Sequence, residues 1–226
     1  MLKSTDYISK ITHEIRNPLT LVYGTLQLIE SKHPEVTHFE HWSDLHQDID
    51  YMIHILDELS SFNNRNRLQL KTIDSGYFFK KTVLSFASSI IHQKIEFISC
   101  IQPDLPPIQC DEIKLKEVLL NLLFNSRDAL FEALEKNTCF APFIRLSVSS
   151  DCDTLRIVIE DNGCGISKEH LDHIFEPFVT YKKHGTGLGL AIAAGIISSH
   201  NGTIHVSSVP DTGTTFTLTL PVKQNT

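Results

Sequence analysis

Near the start of the chain, apolar residues fall at Ile8, Ile11, Ile15, Leu19, Val22, Leu26 and Ile29, in steps of 3, 4, 4, 3, 4 and 3. Only a helix places such steps on one narrow face, and a seam this long calls for another helix against it. A second run, Leu45, Ile49, Met52, Leu56 and Leu59, steps 4, 3, 4 and 3. Pro34 and the polar residues around it end the first helix. Two seamed helices joined by a short polar connector make an antiparallel hairpin. A lone hairpin buries its seams poorly, so they are expected to meet a second copy in a four-helix bundle. The alternative is that both seams pack on the rest of this chain.

The text turns polar at residues 63–74, NNRNRLQLKTID, and the expected division is 1–66 for the hairpin and 67–226 for a second domain. An amphipathic segment is read over residues 75–92, a strand over 96–101, a loop over QPDLPPIQC, and a helix over 111–134 with Asp111 as its N-cap. Strands follow at 144–148 and 155–160, then a glycine-rich region, a helix over 188–200, and strands at 203–207 and 215–220. Turn signals at Asn201-Gly202 and Pro210–Gly213 make the late strands neighbours. The expected class is α+β: a helical hairpin followed by an α/β sandwich with helices on one sheet face.

Composition narrows the function classes. The 226 residues carry a net charge of −7 with a pI near 5.9, against the basic balance of a nucleic-acid or anionic-membrane binder. No apolar run is long enough to span a membrane, and MLKSTDYISK lacks a signal-peptide core. The five cysteines are an odd number without a close pair. They are read as reduced thiols in a cytoplasmic protein, not as a disulfide frame or zinc site.

Five of the ten glycines lie between residues 163 and 189. Asp161-Asn162-Gly163-Cys164-Gly165-Ile166 follows a strand, and Gly185-Thr186-Gly187-Leu188-Gly189-Leu190 opens a helix. The second is G-x-G-x-G and lacks the lysine of a P-loop. Glycines at a helix start let backbone N–H groups approach a phosphate, although turns alone also produce this pattern. Asp161 on a buried strand is an acceptor for an exocyclic amine. Asn121 and Asn125 share one face of the apolar helix VLLNLLFNSRDAL. They form either a satisfied packing pair or an oxygen ligand set in which Asn125 holds Mg²⁺.

His13, in Ile11-Thr12-His13-Glu14-Ile15-Arg16-Asn17-Pro18, lies beside the seam and is expected to face solvent. Position i+4 is Asn17, so the second ligand of a zinc H-E-x-x-H site is missing. Pro18 removes the bond to the Glu14 carbonyl and should bend the helix there.

These pieces together resemble the sensor histidine kinases of two-component and phosphorelay systems. His13-Glu14-Ile15-Arg16-Asn17-Pro18-Leu19-Thr20 resembles their phosphoacceptor box, and Asn121 to Ala129 their asparagine box. Asp161 to Ile166 resembles the first glycine box, Ile174-Phe175-Glu176-Pro177-Phe178 the phenylalanine box, Gly185 to Leu190 the second glycine box, and Gly213 to Pro221 the closing strand. The matches run in the family's order over about residues 5–222. The resemblance implies a homodimeric phosphotransfer hairpin, followed by the ATP-binding sandwich shared with gyrase and heat-shock chaperone ATPases.

It further implies autophosphorylation of His13 by Mg-ATP and transfer to an aspartate of a response regulator receiver domain. A neutral imidazole nitrogen is a competent nucleophile near neutral pH, Glu14 is placed to orient the ring and take its proton, and Asn17 sits where related kinases orient water to dephosphorylate the regulator. In the ATP domain Asp161 reads the adenine amine, Gly163 and Gly165 let the backbone pass the base, and Asn125, supported by Asn121, holds Mg²⁺. Gly185, Gly187, Leu188 and Gly189 frame the phosphate loop. Lys182 or Lys183 is placed to reach the phosphates, a solvated pair being the other reading. Thr214 or Thr215 braces Asp161, and residues 175–184 form a short lid.

Two departures stand out: Asp128 occupies a position where many members carry a base, and no sensor domain or membrane span precedes the hairpin. The chain is therefore expected to be cytoplasmic, or the cytoplasmic part of a longer membrane-bound kinase. His33, His38, His41 and His46 are read as a solvated connector cluster, and His170 and His173 as surface residues. A non-catalytic ATP-binding scaffold of the same fold is the alternative function, and a chaperone- or gyrase-type ATPase a third.

Overall fold

A computed structural model describes residues 2–136, 141–151, 153–182 and 185–224, with side chains from residue 11 onward. The chain forms two compact units that part between Asn64 and Arg65.

In the first unit, α1 (Leu2–Lys32) and α2 (Trp42–Asn64) flank a 3-10 turn at Pro34–His38. The helix α1 continues through Pro18. The face of α1 packed on α2 is Thr12, Arg16, Leu19, Tyr23, Leu26 and Glu30, each buried or half-buried. Opposite lie Trp42, His46, Ile49, Ile53 and Leu56. The seam read from sequence is therefore divided. Leu19 and Leu26 turn inward, while Ile15 and Val22 remain 47% and 48% exposed and Ile11, Leu45 and Met52 are exposed beside them. The inner face escaped a hydrophobicity reading because polar side chains fill several of its positions. Trp42 Nε1 donates to Glu30 at 2.6 Å, and Arg16 pairs with Asp57 across the hairpin.

In the second unit the elements are β1 (Lys71–Ile73), α3 (Ser75–Ser89), β2 (Glu96–Ile101), β3 (Ile108–Cys110), α4 (Glu112–Lys136), β4 (Phe143–Ser150), β5 (Thr154–Asp161), α5 (Lys168–Leu171), α6 (Gly189–Ser199), β6 (Thr203–Val209) and β7 (Gly213–Pro221). The main sheet has the order β2-β4-β5-β7-β6. Only β2 and β4 are parallel, and the crossover between them carries α4, as a parallel pair requires. Strand alternation puts Ile144, Leu146, Val148, Leu155, Ile157, Ile159, Phe216, Leu218 and Leu220 on one buried face. Against it pack Phe78, Phe79 and Phe86 of α3, Leu115, Leu119, Leu122 and Leu123 of α4, and Ile192, Ile196 and Ile197 of α6, all buried. The opposite face carries the Arg145–Glu160 pair at 2.7 Å.

The α+β sandwich with helices on one sheet face matches the sequence reading. Two short strands do not: β1 lies in the stretch read as a linker and β3 in the stretch read as a loop, and they pair antiparallel with each other. Each has only three residues, too few for a period-2 pattern. Asp111 caps α4 as expected, its Oδ1 accepting from Lys114 N at 3.2 Å.

Candidate active site

The site in the second unit grows from the end of β5. Asp161 is 4% exposed and lies directly across from Thr214 of β7. The Gly163 N–H donates to Asp161 Oδ1 at 2.9 Å, and the Thr214 backbone also favours the ionised carboxylate. Burial pushes the Asp161 carboxyl above its ordinary range, and these backbone groups pull it part of the way back. Thr214 is buried and its hydroxyl pairs with Ser208 Oγ at 2.9 Å. Thr215 faces the other side of the sheet, opposite Glu160. Of the two threonines left open by the sequence, Thr214 is the one beside Asp161.

After Asp161 the chain runs over α4, with Cys164 N donating to Ala129 O at 3.1 Å. Gly165 turns with φ +68°, and a Cβ there would stand 2.2 Å from Val209 O, so no other residue fits the turn without rearrangement. Cys164 Sγ lies 3.5 Å from Glu132. Burial and that carboxylate push the Cys164 thiol up to about 11. Cys100, Cys110 and Cys164 are free thiols, and Cys139 and Cys152 lie outside the described residues.

One face of α4 presents Asn121, Asn125 and Asp128, a turn apart. Asn125 Nδ2 donates to Asn121 Oδ1 at 3.2 Å, which leaves Asn125 Oδ1 free to meet a cation. Lys182 Nζ takes that place, donating to Asn125 Oδ1 at 2.7 Å and to Asp128 Oδ2 at 2.8 Å. Two motifs read as separate thus meet. Lys183 lies outside the described residues.

The phosphate-loop candidates follow Lys182. Gly185 N donates to Lys182 O at 3.3 Å. Gly187, with φ +70°, accepts from Phe178 N at 2.9 Å. Leu188 is buried and no side chain caps the start of α6, so the first N–H groups of that helix are available to an anion. Gly189 sits against the Asn121 amide, and a Cβ there would fall 2.7 Å from it. His170 stacks on Tyr181 of the lid segment with ring centroids 3.4 Å apart, and His173 Nδ1 lies 2.8 Å from Glu176 in the same segment.

In the first unit His13, Glu14 and Asn17 are exposed on α1, while the neighbouring Thr12 is buried against α2. An exposed imidazole with a carboxylate beside it and an amide one turn on is a suitable nucleophilic surface. The connector histidines divide. His46 is not in the connector but in α2, where it packs on Tyr23 and Trp42 with centroids 5.8 Å away in each case. Among the described residues, no group of three or more His, Cys, Asp or Glu could hold a metal, and no helix is long and apolar enough to cross a membrane.

Family comparisons agree with this geometry. The family model described as histidine kinase-, DNA gyrase B-, and HSP90-like ATPase matches residues 110–224, just over half the chain. The chain belongs to that ATPase family. A second family model, the His Kinase A (phospho-acceptor) domain, matches residues 3–67. Signal transduction histidine-protein kinase AtoS of Escherichia coli is 34% identical over 218 residues, covering 96% of this chain and 34% of AtoS. Full-length ShkA in complex with AMPPNP superposes with a TM-score of 0.80 at 22% identity, over 97% of this chain and 46% of ShkA. Histidine kinase ThkA, in complex with response regulator protein TrrA, gives a TM-score of 0.59 at 22% identity, over 96% of this chain and 61% of ThkA. The chain spans about a third of the length of AtoS.

Two site residues escaped the sequence reading. Ser126 is 1% exposed on the inner face of α4. Its hydroxyl favours the ionised form of Asp161 yet makes no hydrogen bond of normal geometry. A hydroxyl at a core-facing position of an otherwise leucine-rich stripe was the available signal. Asp128 was noticed only as a departure, and its pairing with Lys182 depends on a contact across 54 residues of chain.

Proposed function

We propose that this chain is the catalytic core of a sensor histidine kinase, which phosphorylates its own His13 from Mg-ATP and passes the phosphoryl group to an aspartate of a response regulator receiver domain. The observation that carries the reading is the coexistence in one chain of an exposed histidine on a phosphoacceptor hairpin and an ATPase-type sandwich with a buried carboxylate. The kinase identity of AtoS and the regulator bound to ThkA support it.

In the ATP unit, the Asp161 carboxylate accepts from the adenine amine, held for that task by the Gly163 N–H and set beside Thr214. Ser126, with an unpaired buried hydroxyl beside it, takes a further polar contact at the base edge. Gly163 and Gly165 keep the backbone low over the base. Gly187 and Gly189 present backbone N–H groups to the phosphates at the start of α6, Gly185 and Leu188 frame that loop, and Lys182 neutralises the phosphates. The residues fit a divalent cation: Asn125, oriented by Asn121, already offers Oδ1 to the ammonium of Lys182, and amide oxygen suits Mg²⁺. When bound, Mg²⁺ supplies charge neutralisation to the transferring phosphoryl group.

At His13, a bond forms from a ring nitrogen to the γ-phosphorus as the bridging P–O bond breaks and ADP leaves. Glu14 holds the other ring nitrogen and accepts its proton. Asn17 orients water for hydrolysis of the phosphorylated regulator. The exposed Ile11, Ile15, Val22, Leu45 and Met52 meet the same residues of a second copy, making the dimer. Incubation with γ-labelled Mg-ATP tests the reading. Acid-labile label on wild type, absent from His13→Ala, supports it. Label retained in His13→Ala, or ATP binding without label in wild type, contradicts it.

A further inference from the structure

The ammonium of Lys182 is held at one point by two oxygens of α4, Asn125 Oδ1 at 2.7 Å and Asp128 Oδ2 at 2.8 Å. Both oxygens are directed there by other bonds. Asn125 spends its amide N–H on Asn121, and Asp128 spends Oδ1 on Arg127 Nε at 3.2 Å and on its terminal nitrogen at 2.8 Å. What is left over from each, one neutral and one anionic oxygen, converges on a single positive charge. Their i, i+3 spacing puts them on adjoining turns of one helix face.

We propose that Asp128 is the second protein oxygen ligand of the divalent cation, at a position the Lys182 ammonium fills until the metal and nucleotide arrive. This rests on the ATP-site reading and adds to it a ligand and an exchange. Magnesium is commonly held by one or two protein oxygens together with substrate phosphates and water, and an amide with a carboxylate is such a pair. The ammonium is a tethered stand-in for the metal, and the two cations exclude each other. The ion pair is open to water, its side chains 44% and 38% exposed, so the incoming metal breaks it readily. Lys182, once released, turns to the phosphates. The carboxylate at position 128 thereby serves both states, pinning the lid in one and binding metal in the other.

Because the two cations compete for one carboxylate, removing that carboxylate and removing the competing ammonium shift metal binding in opposite directions. Binding of a fluorescent ADP analogue to the 226-residue chain is followed while Mg²⁺ is titrated, and the half-saturating Mg²⁺ concentration is read. Asp128→Asn, which keeps shape and removes charge, raises it about tenfold or more, the scale of losing a metal-site interaction. Lys182→Met lowers it several-fold. Water-proton relaxation by Mn²⁺ in place of Mg²⁺ gives the same order without relying on nucleotide fluorescence. If both substitutions shift the value in the same direction, Asp128 merely tethers the lysine and the inference fails. If Asp128→Asn leaves the value unchanged while the analogue still binds, the inference fails and the ATP site stands. If wild type binds no adenine nucleotide at any Mg²⁺ concentration, the ATP-site reading falls and takes the inference with it.

Discussion

His200 is wholly buried where α6 ends, and it ties that helix to the start of α4. A backbone N–H can only donate, so the Asp111 N–H at 2.9 Å requires an unprotonated Nε2. The proton is then on Nδ1, which donates to Ile196 O at 2.8 Å. Only the neutral ring satisfies both contacts. Burial holds the His200 pKa below its ordinary value, against the opposing pull of the Ile196 carbonyl and the Asp111 charge. Between that depressed value and the unfolded pKa near 6.5, the unfolded chain binds a proton that the folded chain does not. The stability contributed by neutral His200 is therefore complete above about pH 6.5 and is lost as pH falls, by up to about 1.4 kcal/mol per pH unit. His200→Leu removes this dependence and leaves the Asp111 N–H without its partner, at a cost of about 1–3 kcal/mol near pH 7.5. Native-state hydrogen exchange of the α4 amides of Leu122 and Leu123, both fully buried, reads the second unit by itself. The expected result is a gap between wild type and variant that narrows from about pH 7.5 to pH 5.5. Parallel pH profiles for the two proteins would refute the argument.

Leu122→Ala removes a fully buried side chain between α4 and the sheet and should destabilise the second unit by about 2–5 kcal/mol, measured by the same exchange. Asp161→Asn exchanges a carboxylate that accepts the Gly163 N–H for an amide. It should weaken binding of a fluorescent ADP analogue by about tenfold or more, since one charge-assisted hydrogen bond is worth about 1.5–3 kcal/mol; unchanged affinity would remove Asp161 from adenine recognition. Val22→Lys places a charge on the exposed apolar stripe of α1 and should shift the chain from dimer to monomer in sedimentation equilibrium, with the helical content of the hairpin retained.

The periodic elements were legible because their signal is local. Alternation along β4, β5 and β7 and the 3–4 spacing of α1 and α2 depend on neighbours a few residues away. The hairpin shows where such reading stops. Hydrophobicity marked the stripe containing Ile15 and Val22, which faces outward, while the stripe that packs α1 on α2 includes Thr12, Arg16 and Glu30. Sequence could name Thr214 and Thr215 as candidates but not choose, since the choice needs the β5–β7 register that sets Thr214 opposite Asp161. Lys182, Asn125 and Asp128 were each visible, but their meeting depends on where the lid returns to α4. His200 gave no signal at all: its tie to α4 runs through a backbone N–H 89 residues away.

His13 is the proposed acceptor of the phosphoryl group. After incubation of the intact chain with Mg-ATP, digestion at neutral to alkaline pH preserves a phosphoramidate, and tandem mass spectrometry assigns the modified residue. Phosphate is expected on His13 and is expected to disappear after brief acid treatment. Phosphate on another residue of α1 or α2, or an ATP-bound chain carrying none, would contradict it.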